Sequence, residues 1–165
     1  MKNYIVLFLI GHFLIPLQGQ GQLLEVKQTV FGMDCAPCAY GLEKRIQKMD
    51  GVESASVSLN DGLLTANLKQ DNKLTLSDIR QAVEESGFKA KEANITVTGT
   101  VTKNESGSLV LETVVGEHFI LEAENERKLK DISNTNGSLT ITGKAETSDG
   151  AGTKLWIASF DKTKA

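Results

Sequence analysis

The hydrophobic residues between Leu24 and Ala93 switch repeatedly between a spacing of two and a helical spacing. A spacing of two predicts half-buried strands, and the helical spacing predicts amphipathic helices. The predicted elements are a strand at 24–31, a helix at 37–49, two strands within 52–68 around the turn Asn60-Asp61-Gly62, a helix at 76–86 and a short closing strand at 88–93. This order predicts a ferredoxin-like βαββαβ domain over residues 23–93 that folds on its own.

Residues 94–165 have a different pattern, which predicts a small β-rich module. Five apolar runs predict strands, and the charged stretch 124–133 contains Leu129 and Ile132 at helical spacing. Three strands, a helix and two strands is the order of an OB-fold barrel, with Gly99 and Gly143 at positions suited to sharp bends. The whole chain is therefore predicted to be α+β, with the two parts joined directly, without a Pro/Gly/Ser linker.

Residues 1–21 have the features of a secretory signal sequence. Lys2 precedes an apolar stretch that runs to Leu17, and the small residues Gly19 and Gly21 fit a cleavage site. The apolar stretch is shorter than the roughly 20 residues that a membrane-spanning helix needs. We therefore expect this segment to be removed, and the mature protein to be periplasmic or secreted and not membrane-spanning.

The two cysteines of the chain, Cys35 and Cys38, are separated by two residues. They follow Gly32 on the loop between the first predicted strand and the first predicted helix. Two thiolates at this spacing bind one soft or borderline metal ion or form one disulfide. Cys38 falls at a helix amino terminus, where the helix dipole favours the thiolate. A disulfide that closes so short a loop adds little stability, so we expect the pair to have a chemical role.

A family resemblance is carried by the run VFGMDCAPCAYGLEK at residues 30–44 and by Gly51-Val52. These residues resemble the heavy-metal-associated domain, a family that includes copper chaperones, amino-terminal domains of metal-exporting P-type ATPases and the periplasmic mercury-binding protein. The resemblance covers residues 23–93. It implies that Cys35 and Cys38 bind one Cu(I), Zn(II), Cd(II) or Hg(II) ion, and that the partner is a metal-exporting ATPase or another metal carrier.

The resemblance also suggests roles for two apolar residues near the cysteines. Met33 is expected to lie in the core beneath the loop and not to bind the metal, which suits its adaptable side chain. Phe88 follows Gly87 at the position where family members place an aromatic residue or a lysine beside the metal loop. Phe88 is therefore a candidate shield for the metal, and a plain core role is the alternative.

Asp34 departs from the copper-handling members, which usually have Thr, His or Ser before the first cysteine. A carboxylate oxygen as third ligand would favour Zn(II) or Cd(II) over Cu(I). The alternative is that Asp34 caps the first helix. His118 is the only histidine after residue 21 and has Glu117 beside it, and we expect an ordinary strand position for it.

Composition and the remaining residues exclude several classes of function. Removal of residues 1–21 deletes one lysine and no acidic residue, so the net charge goes from −3 to −4, and aromatic residues make up 5% of the chain. A nucleic acid is therefore an unsuitable partner. Pro37 is the only proline after residue 21, so the chain lacks the second proline expected of a thioredoxin-type enzyme. We predict a non-enzymatic carrier or buffer of one metal ion; the alternatives are a thiol–disulfide redox protein and an interaction module with a secondary metal site.

Overall fold

The computed structural model describes residues 21–135, 137–148 and 152–162. The predicted signal sequence lies outside these residues, apart from Gly21. Among the described residues, no helix is long and apolar enough to cross a membrane. In chain order the elements are β1 (Leu23–Phe31), α1 (Ala36–Gln47), β2 (Val52–Ser58), β3 (Leu63–Leu68), α2 (Leu76–Glu85), β4 (Lys89–Lys103), β5 (Leu109–Glu112), β6 (His118–Glu122), α3 (Glu126–Ser133), β7 (Ser138–Ser148) and β8 (Gly152–Lys162).

The first half of the chain, from β1 to α2 with β4 as its last strand, has the predicted ferredoxin-like order of strands and helices. Its four strands form antiparallel pairs in the order β2-β3-β1-β4. Val26 on β1 lies opposite Ala66 on β3 and Ile95 on β4, and all three side chains are buried. The predicted cap of the second helix is confirmed, because Thr75 and Asp78 form a reciprocal capping box at the start of α2.

Strand β4 is longer than the sequence pattern predicts. The expected short closing strand at 88–93 and the next predicted strand are one continuous strand of 15 residues. The prediction of two separate strands is therefore wrong, and the boundary predicted between Ala93 and Asn94 falls inside β4. The alternation of buried Ala93, Ile95 and Val97 continues in phase across this point, so one strand serves both halves of the chain.

The second half forms a closed ring of strands. The pairs β4–β5, β5–β6, β6–β8, β8–β7 and β7–β4 complete the ring, and β6–β8 is the parallel pair. Helix α3 lies in sequence between β6 and β7, and its Ile132 is fully buried. The buried residues of the ring and those of the first half form one continuous hydrophobic core.

Two glycines allow the strands of the ring to approach closely. A Cβ atom on Gly99 would lie 2.5 Å from the carbonyl oxygen of Glu112, and one on Gly143 would lie 2.3 Å from that of Trp156. Both distances are shorter than any ordinary carbon–oxygen contact, so any larger residue requires the backbone to move. These are the two positions at which the sequence predicts sharp bends.

Polar side chains also join the two halves. Glu117, between β5 and β6, accepts hydrogen bonds from the backbone N–H of Leu76 at 3.0 and 3.2 Å, at the first turn of α2. Arg80 on α2 donates to the side-chain oxygen of Gln28 on β1 at 3.3 Å and to the carbonyl oxygen of Ala145 on β7 at 3.2 Å. The second half is thus fixed to the amino end and the middle of α2.

The Glu117 carboxylate makes the stability of this junction dependent on pH. Burial, with a smaller contribution from the Asp78 charge, raises the pKa of Glu117 above its usual value, although hydrogen bonds from Leu76 and Ser77 and the Arg80 charge lower it. A raised pKa in the folded state means that the group contributes most stability when protonated, and that this contribution is lost as pH rises through the folded pKa. We compare the free energy of unfolding of the parent with that of Glu117→Gln. We expect the parent's value minus the variant's value to decrease as pH rises from 4 to 7.

Chemical denaturation of both proteins at the two pH values measures this difference, in which titrating groups that do not interact with Glu117 cancel. A difference that stays constant or grows towards pH 7 would contradict the burial argument.

Candidate metal centre

The loop between β1 and α1 presents the cysteine pair at the end of the sheet. Gly32 has φ +90, a conformation that other residues rarely adopt, and it ends β1. Met33 then turns into the core and is 7% exposed. Met33 anchors the loop from below, whereas Asp34 is exposed and Cys35 and Cys38 are half-buried.

Cys35 and Cys38 meet at the first turn of α1. Cys35 is the N-cap of the helix, and its sulfur accepts a hydrogen bond from the backbone N–H of Cys38 at 3.2 Å. Pro37 occupies the first turn, where its missing N–H is not needed. The two Cα atoms are 5.1 Å apart and the sulfurs form a disulfide. Both sulfurs therefore lie where helix N–H groups and the helix dipole stabilise negative charge.

This geometry corrects one alternative for Asp34. Asp34 does not cap α1, because Cys35 is the N-cap. Asp34 precedes the cap and is exposed. Among the residues that the structure describes, no group of three or more His, Cys, Asp or Glu side chains is arranged to hold a metal ion. A third ligand from Asp34 stays a prediction.

Comparison with known proteins places this site in a family. The family model described as the heavy-metal-associated domain matches residues 28–89. Over 62 residues the chain is 34% identical to the copper chaperone CopZ of Staphylococcus saprophyticus, and this alignment covers 38% of the chain and 90% of CopZ. The chain belongs to the heavy-metal-associated domain family. The resemblance seen in the sequence is therefore confirmed.

Other relatives range from much larger proteins to small single-domain chains. The chain is 41% identical over 61 residues to the copper-exporting P-type ATPase of Bacillus subtilis, and the alignment covers 36% of the chain but 7% of the ATPase. A solved structure of the CopZ metallochaperone is 30% identical, with a TM-score of 0.38, and the match covers 40% of this chain and 97% of that one.

Two other candidate residues, Phe88 and His118, lie away from a direct metal-binding position. Phe88 is half-buried against the core just before β4, which supports its core role and leaves a shielding role as a prediction. His118 lies at the start of β6 in the second half, exposed and opposite Glu112. The structure does not bring His118 into any three-ligand group with other described residues.

Sequence reasoning missed two exposed aromatic residues beside the metal loop. Phe31 is 64% exposed and Tyr40 is 63% exposed, and they lie immediately before and shortly after the loop. The available signal was the phase of β1: Val26, Gln28 and Val30 are buried, so Phe31 continues the outward series of Lys27 and Thr29.

Proposed function

We propose that the reduced protein binds one soft metal ion through the thiolates of Cys35 and Cys38 and carries it to or from another protein. The observation that carries this proposal is the position of both sulfurs at the N-terminus of α1, on an exposed loop anchored by Met33. Thiolates are the ligands that soft ions prefer, and the helix terminus lowers the cost of deprotonating them.

Cu(I) is the cargo that the comparisons favour. CopZ and the Bacillus subtilis ATPase are both named for copper, and the family model covers residues 28–89, which include both cysteines. A two-sulfur site also suits Cu(I), whereas Zn(II) is almost always four-coordinate in proteins. Zn(II), Cd(II) and Hg(II) remain alternative cargoes, and Asp34 is the residue that would favour the divalent ions Zn(II) and Cd(II).

The disulfide supports a second candidate function, thiol–disulfide exchange. The same two sulfurs serve both functions, so a disulfide must gain two electrons before the pair can bind a metal. Pro37 is the only proline after residue 21 and lies between the two cysteines, so the second proline expected of a thioredoxin-type enzyme is lacking. Metal binding therefore remains the preferred function, and reduction is its precondition.

We also propose a location for the protein and a fold type for the second half of the chain. The pattern of residues 1–21 supports export to the periplasm or beyond. The closed five-strand ring with α3 between its third and fourth strands supports an OB-like assignment for the second half. We propose that the protein is a carrier and not an enzyme, and that the cysteines have no catalytic role. Its proposed partner is a metal-exporting ATPase or another metal carrier.

Native mass spectrometry of the reduced mature protein tests this function directly. We expect one Cu(I) per chain after loading, and no metal after the cysteines have been oxidised to the disulfide. Metal retained by the oxidised protein would contradict the proposal, because the sulfurs would then not be the ligands.

Asp34→Thr tests the choice of cargo. If the carboxylate is a third ligand, its loss should weaken Zn(II) binding by about 10- to 100-fold, as losses at the periphery of metal sites do, and leave Cu(I) within a few-fold. Competition titrations with chromogenic chelators measure both affinities. Asp50→Thr is the matched control, since Asp50 is an exposed aspartate after α1. Equal retention of zinc and copper affinity in Asp34→Thr would show that Asp34 is not a ligand.

A further inference from the structure

A cavity of about 350 Å³ lies in the second half of the chain, between the β4–β5 turn, β6 and α3. None of the residues that line it belongs to the β1–α1 loop or to α1, so the metal centre does not account for it. Its volume is at the small end of the roughly 300–1,000 Å³ that ligand sites in proteins occupy. The cavity therefore has room for one small molecule.

The lining of this cavity combines apolar side chains with two lysines. Leu109 on β5, Ile120 on β6 and Leu129 on α3 line the cavity and are half-buried, so part of each residue stays accessible to a ligand. Lys103 at the end of β4 and Lys130 on α3 also line it, and both are exposed. An apolar surface with a few charged groups that fix the orientation of the ligand is the usual chemistry of a small-molecule site.

The two lysines give the cavity a surplus of positive charge. Neither of them takes part in a salt bridge with another described residue. The acidic residue of the lining is Glu122, whose carboxylate lies 3.5 Å from Lys154 Nζ and is thus shared with a lysine outside the lining. Lys130 lies in the last turn of α3, where a cation also stabilises the helix, but Lys103 lies at the end of a strand. The charge of the cavity therefore favours an anionic ligand.

Hydrogen bonds hold two walls of the cavity in place. The side-chain oxygen of Asn104 accepts the N–H of Ser108 at 2.9 Å, and the N–H of Asn104 donates to the carbonyl oxygen of Ser108 at 3.0 Å, which closes the β4–β5 turn. On the other side, Lys128 Nζ donates to the carbonyl oxygens of Ile157 and Ala158 at 3.2 and 2.9 Å and so fixes α3 to β8. A preformed cavity loses little conformational entropy when a ligand enters.

We propose that this cavity binds one free carboxylate that carries a single apolar chain of medium length. The chain contacts Leu109, Ile120 and Leu129, and the carboxylate faces Lys103 and Lys130. A water molecule takes up about 30 Å³ in the liquid, so the cavity holds about a dozen non-hydrogen atoms of similar size, as many as decanoate has. A phospholipid with two long chains is too large for it. This inference is independent of the proposed metal function, because the lining shares no residue with the metal loop.

Isothermal titration calorimetry of the mature protein with sodium decanoate, below the concentration at which decanoate forms micelles, tests this proposal. We expect one decanoate per chain, whether the cysteines are reduced or form the disulfide. Octanoate should bind about 10-fold more weakly, because its chain is two methylenes shorter and buries less apolar surface. Decylamine has the same chain as decanoate with a positive head group, and it should bind weaker than decanoate by about 10-fold or more.

Three variants locate the site. Lys103→Glu/Lys130→Glu should weaken decanoate binding by about 10-fold or more and strengthen decylamine binding, because the head group then meets carboxylates. Lys48→Glu/Lys69→Glu makes the same change of charge at exposed lysines of the first half and should bind decanoate as the parent does. Leu129→Trp should fill the cavity and abolish binding, and its thermal unfolding shows whether the fold persists.

Equal affinities of the parent for decanoate and decylamine would overturn the proposal, as would an unchanged decanoate affinity in Lys103→Glu/Lys130→Glu. A parent that binds no decanoate would overturn it too. If such a parent bound anionic phospholipid vesicles and Lys103→Glu/Lys130→Glu did not, the lysines would belong to a membrane-binding surface. Metal binding by the cysteines is measured separately, so either proposal can fail without the other.

Discussion

Replacement of Cys35 and Cys38 by serine is expected to abolish Cu(I) and Zn(II) binding by the reduced mature protein. The serine hydroxyl stays protonated near neutral pH and is a poor ligand for soft ions, so both metal–sulfur bonds are lost without replacement. The fold should persist, because a serine at position 35 can also cap α1. Chelator competition at micromolar protein should detect no binding, and circular dichroism should match that of the parent.

Two further measurements sharpen this expectation. His118→Ser is the control, because His118 is exposed in the second half, and it should bind metal as the parent does. In the parent, affinity should fall as pH drops below neutrality, since protons compete with the metal for the thiolates. Sub-micromolar binding by the double serine variant would place the metal site elsewhere in the chain.

The elements of the first half could be predicted because local sequence decides them. The turn Asn60-Asp61-Gly62, the capping box of Thr75 and Asp78, and the alternation along β1 each depend on residues a few positions apart. The site was predictable for the same reason, since the cysteines are three positions apart at a helix start. Their spacing alone brings the sulfurs together.

The errors arose where local rules leave a choice. Asp34 and Cys35 precede α1 in adjacent positions, and aspartate is the commoner cap, yet the sulfur of Cys35 accepts the Cys38 N–H. The boundary at Ala93 followed the end of the family resemblance, and Asn94 is of a residue type that favours turns. In the fold Asn94 is exposed and is paired with Lys27 on β1 and Lys144 on β7, so the strand continues through it.

The junction between the halves could not be predicted from local pattern. Glu117 contacts Leu76, and Arg80 contacts Ala145, across 41 and 65 residues of sequence. Contacts of this kind depend on the assembled fold and leave no periodic signal in the sequence. From the sequence alone, Glu117, a charged residue beside a histidine, would be assigned to the surface. Its contact with α2 becomes visible only in the assembled fold.

Strand β4 provides the last prediction, which concerns where the first half can be cut. Leu23 and Val26 on β1 lie opposite Val97 and Ile95, and these four side chains are at most 1% exposed. A fragment ending at Ala93 keeps the residues matched by the family model but loses Ile95 and Val97. Burial of two such side chains stabilises a fold by roughly 3–6 kcal/mol.

That loss is large compared with the roughly 5–15 kcal/mol that separates most folded domains from the unfolded state. We therefore expect fragment 22–98 to unfold cooperatively in urea, and fragment 22–93 to have a much lower midpoint or no transition. Ile95→Ser/Val97→Ser in fragment 22–98 should behave like the shorter fragment, because it removes the buried side chains and keeps the chain length. Equal midpoints for 22–93 and 22–98 would show instead that the domain is complete at Ala93, as the sequence pattern predicts. The part of β4 after Ala93 would then stabilise only the second half.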